Sequence, residues 1–96
     1  MPGYPESLKM AFALPPQVSM RSAPALLAAG NAAVRAGESV FDLGAVTECD
    51  SSLLACLNEW RREARRLRGG TISVLNPPDA IKRIARLYGV EALTLG

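Results

Sequence analysis

The chain has no histidine. That absence removes the commonest general base, every Ser–His or Cys–His nucleophile and all metal sites built on imidazole. Cysteine is scarce: Cys49 and Cys56 are the only two in 96 residues, and they lack CxxC spacing. Two thiolates cannot make a four-thiolate zinc site, so both are expected to behave as small buried hydrophobes in a reducing compartment. No apolar run approaches the ~18 residues of a membrane span. The apolar run at residues 10–14 is too short for a signal-peptide core and is stopped by Pro15 and Pro16. An excess of one charge is lacking too: 11 Lys and Arg stand against 9 Asp and Glu, a net +2. So mild a balance demands neither a nucleic-acid nor a membrane partner, and a cytoplasmic chain is expected.

What is present suits a globular domain. Hydrophobic residues make up 49% of the chain, and charged residues 21%, unlike the core-poor composition of a disordered segment. The length suffices for one modest core and leaves no room for a second. Residues 1–7 carry Pro2, Gly3 and Pro5 and read as a flexible lead-in, with residues 8–96 as the single domain.

Residues 8–14 alternate in apolarity like a strand. Pro15-Pro16 makes a turn, and residues 18–20 read as a short return strand. Ser22 is the expected N-cap of a helix over 23–36, with Pro24 in its first turn and Gly37 as its stop. Residues 39–43 form the next strand, entering Gly44. In the following helix Leu53, Cys56, Leu57, Trp60, Ala64 and Leu67 fall within an arc of about 100°, the width of a core-facing stripe. Gly69-Gly70 ends that helix, and 71–75 is another β-rich run. Asn76 then caps a helix with Pro77 at its first position and Asp79 at its positive pole. Ile81, Ile84, Ala85 and Tyr88 share one face of it, Gly89 closes it, and 93–95 is an optional last strand. The predicted fold class is α/β, a mixed four- to five-stranded sheet with helices in β-β-α-β-α-β-α order and right-handed crossovers.

Asp50-Ser51-Ser52 before the strong helix is the informative segment. Asp50 is the expected N-cap, and the Ser51 and Ser52 hydroxyls lie in a first turn rich in unpaired N–H groups, where anions bind. The same tripeptide is also ordinary capping chemistry, and composition alone does not separate the two. Asp42, at a strand end, reads as an anchor for loop N–H groups. Leu54 lies off the apolar stripe, either as a partly exposed contact point or as cover for the sheet edge. Arg61, Arg62, Arg65, Arg66 and Arg68 make the C-terminal half of the helix basic, with Glu63 placed to pair with Arg66. They form either a solvated face or a contact for an anionic partner, with Arg61, Arg62 and Arg65 the candidates.

At these residues the chain resembles the STAS family, whose pattern is a strand ending in Asp-Leu, a short loop with Val, then Asp-Ser-Ser-Gly-Leu opening a helix. Here it reads Asp42-Leu43-Gly44-Ala45-Val46, then Asp50-Ser51-Ser52-Leu53-Leu54. Within the family it is most similar to the MlaB-type branch, in Ile84-Ala85-Arg86-Leu87-Tyr88 and in Leu54-Ala55-Cys56-Leu57-Asn58-Glu59-Trp60. One departure is Leu53, where the family has glycine. Losing it works against a tight phosphate or nucleotide contact.

The resemblance implies a STAS-like sheet and a non-enzymatic role without cofactor. The chain would be a regulatory or stabilising subunit on the ATPase of an Mla-type phospholipid ABC transporter, held peripherally at the inner membrane through that complex. Asp50, Ser51, Ser52 and Leu54 would form the partner interface. In the anti-sigma-factor-antagonist branch the serine after the Asp accepts phosphate from a Ser/Thr kinase, which makes Ser51 the candidate phospho-acceptor. A phosphate there would add about −1.5 to −2 charges at the docking surface. A small nucleic-acid-binding protein using the arginine helix is the third reading. It lacks aromatic residues interleaved on that face.

Overall fold

The computed structural model describes residues 11–88. The lead-in, the first residues of the initial strand, the Gly89 stop and the optional strand at 93–95 lie outside the described residues. The elements run β1 (Phe12–Ala13), β2 (Gln17–Val18), α1 (Ala23–Arg35), β3 (Val40–Asp42), β4 (Glu48–Cys49), α2 (Ser51–Arg68), β5 (Ser73–Leu75) and α3 (Asp79–Tyr88).

The predicted alternation of strands and helices is there, with two differences in the sheet. The five strands form two ladders: β1-β3-β5, with β3 central, and a separate pair β2-β4. Every pairing among the described residues is parallel, with Phe12 opposite Phe41, Phe41 opposite Val74 and Val18 opposite Cys49. So β2 does not return antiparallel along β1. The Pro15-Pro16 turn carries it to β4, where the Pro16 carbonyl accepts from Thr47 N (2.7 Å) and Glu48 N (3.1 Å). The strand β4 has no β-branched residue and is made by this pairing alone.

The centre is aromatic. The Trp60 indole stacks on Phe41 with centroids 4.6 Å apart, and Phe12 meets both rings at 5.4 and 6.0 Å. Such offset and edge contacts favour defined ring positions over simple area burial. Val34, Phe41, Leu53, Leu57, Trp60 and Ile81 are fully buried around it. α1 crosses close to α2 because Gly30 has no side chain: a Cβ there would collide with the Trp60 indole. Trp60 Nε1 donates to the Leu27 carbonyl at 3.1 Å, so the one polar atom of the ring is satisfied across the helix pair. Farther along, Glu63 accepts from Arg35 (3.1 Å) and from Arg66 (2.8 Å), the Arg66 partner expected from sequence. Those two guanidinium groups, Arg66 first, hold the Glu63 carboxyl below its ordinary pKa.

Three residues, Leu67, Asn76 and Ser22, depart from the expectation. Leu67, expected in the buried stripe, is 44% exposed, whereas Trp60 and Ala64 earlier on the same stripe are fully buried. Asn76 does not cap α3. It sits at φ 54°, a left-handed geometry that asparagine tolerates, and donates Nδ2 to Asp42 Oδ1 at 3.1 Å. Helix α3 begins at Asp79 instead. The α1 boundary is as expected, but the Ser22 hydroxyl caps nothing. It accepts from Ser19 N (3.1 Å) and donates to the Ser19 carbonyl (3.3 Å), tightening the turn before the helix.

Candidate functional site

The start of α2 is built by Asp50. Its backbone is extended (φ −126°, ψ −169°), which frees the side chain to turn back onto the helix. Asp50 Oδ1 accepts from Ser52 N at 2.9 Å and from the Ser52 hydroxyl in a short contact. The Ser52 hydroxyl, then its N–H, hold the Asp50 carboxyl below the usual carboxylate range. Both polar groups of Ser52 are therefore engaged within the cap. Ser51 is exposed at the tip. Leu53, where the family pattern has glycine, is fully buried and belongs to the core.

Leu54 is a correction. Of its two expected roles, a partly exposed contact point or cover for the sheet edge, its 3% exposure removes the first. It lies about 160° around the helix from Cys56, whose thiol faces the Ala23 carbonyl of α1. Helix α3 packs on α2 as α1 does. A projection of α2 alone contains neither of these helices.

The structure adds neighbours that the sequence did not single out. Ser19, Met20 and Arg21, in the turn between β2 and α1, line a shallow depression with Asp50. Met20 is 75% exposed. From it an open, mostly apolar groove runs between α1 and α2, lined by Ala23, Pro24, Leu27, Ala55 and Cys56, with Ser52 and Glu59 at its polar edge. No local pattern marks these residues as one surface, because the β2–β4 pairing is what places Met20 beside Asp50. Arg83 of α3 is close enough to the half-buried Cys49 to favour its thiolate, against the larger effects of burial and of Asp50, which raise its pKa.

Asp42 has the anchoring role read from sequence. Its Oδ1 accepts from Gly44 N at 2.8 Å and from Asn76, clamping the loop after β3 to the end of β5. The arginines divide. Arg62 pairs with Glu59 at 3.1 Å, Arg61 is half-buried with its Nε out of water and without a partner, and Arg65 is exposed. Among the described residues no group of three Cys, Asp or Glu is placed to hold a metal ion.

These features coincide with a family pattern. The family model for the MlaB STAS domain matches residues 10–95. The chain belongs to the MlaB-type STAS family. No curated protein matches it. STAS domains are in general non-catalytic modules that bind other proteins, and the Asp-Ser-Ser tip of this one is capped by Asp50, which accepts from Ser52 and leaves Ser51 exposed. Among the described residues no helix is long and apolar enough to cross a membrane.

Proposed function

We propose that this STAS domain is a non-catalytic subunit that docks on the ATPase of an Mla-type phospholipid ABC transporter, at the cytoplasmic side of the inner membrane. Its contact surface is the tip of α2 together with the groove beside it. The observation that carries the reading is the pairing of an exposed Ser51 with the 75%-exposed Met20 and an apolar groove. An exposed methionine next to a groove between helices suits a partner side chain or helix better than a small polar substrate. Asp50 holds the tip rigid and Ser52 completes the cap, so both shape the surface more than they touch the partner. Leu54 acts only from inside the core.

The test is co-purification with the ATPase of such a transporter, read by size-exclusion chromatography. Ser51→Arg should abolish co-elution while leaving the melting temperature unchanged. Co-elution that survives both this variant and Met20→Asp would exclude the tip as the docking site.

The exposed Ser51 hydroxyl also favours a second reading, that of an antagonist of an anti-sigma factor released by phosphorylation. Incubation with an anti-sigma-factor kinase and ATP would then label Ser51, and Ser51→Asp would weaken that complex. The nucleic-acid reading has no comparable support, since Glu59 and Glu63 engage Arg62, Arg35 and Arg66.

A further inference from the structure

We draw no further inference here: the strongest candidate, the apolar groove between α1 and α2 lined by Leu27, Ala55 and Cys56 beside the exposed Met20, belongs to the docking surface already described, and nothing in the structure shows what else covers it.

Discussion

The indole N–H of Trp60 donates to the carbonyl of Leu27, 33 residues earlier, and the same ring fills the space left by the missing side chain of Gly30. One residue thus fixes both the spacing and the register of α1 on α2. Gly30→Ala should destabilise the domain by about 3 kcal/mol, since the added methyl has only the ring to push against. For a domain of this size that lowers the melting temperature by more than about 10 °C in a thermal scan. A melt unchanged within a few degrees would show that the helices can separate at little cost.

The Asp50 cap makes a prediction about acid. Folding lowers the Asp50 pKa below its ordinary 3.8, so the native state holds this proton less tightly than the unfolded chain does. The stabilisation is complete above that value and is lost as pH falls through the native pKa. Asp50→Ala should cost about 1 kcal/mol at pH 7 in urea unfolding. Asp50→Asn keeps the cap and should flatten the Asp50 share of the acid dependence below pH 4.

Leu54 and Leu67 should respond in opposite ways to truncation. Leu54→Ala opens a cavity in the core and is expected to cost ~2–5 kcal/mol. Leu67→Ala touches an exposed position and should stay within about 0.5 kcal/mol of the parent. Chemical denaturation of the pair decides between the observed packing and the stripe read from the sequence.

Burial pushes both thiols up, which slows attack on reagents, but unequally in access. Cys49 is half-buried and Cys56 buried, so Ellman's reagent should label Cys49 first. Cys56 should follow only at the rate at which α1 opens from α2. Equal rates for the two would mean that α1 leaves readily.

Much of this was legible from residues alone. Periodicity located α1, α2 and α3, Asp50 announced the α2 start, and Gly69 its left-handed stop (φ 67°). What escaped was whatever depends on a second element. Glu48–Cys49 carries no strand signal, and pairing with Gln17–Val18 creates it. Leu54 is buried in a core that no single-helix projection contains. Asn76 has every mark of a cap, yet its amide reaches Asp42, a bond visible only once β3 and β5 lie side by side. The Asp-Ser-Ser tip was read correctly as a cap, while Met20, its exposed neighbour, comes from a distant turn and bore no local mark.

The all-parallel ladders carry a consequence for how the chain is made. Phe12 meets Phe41 and Val40 meets Ser73, each pair roughly thirty residues apart, so no strand finds its partner locally. On the ribosome β3 emerges with one neighbour and waits for the other until α2 has been synthesised in full. During that interval its β5-side edge is bare, a row of unpaired N–H and C=O groups open to another chain.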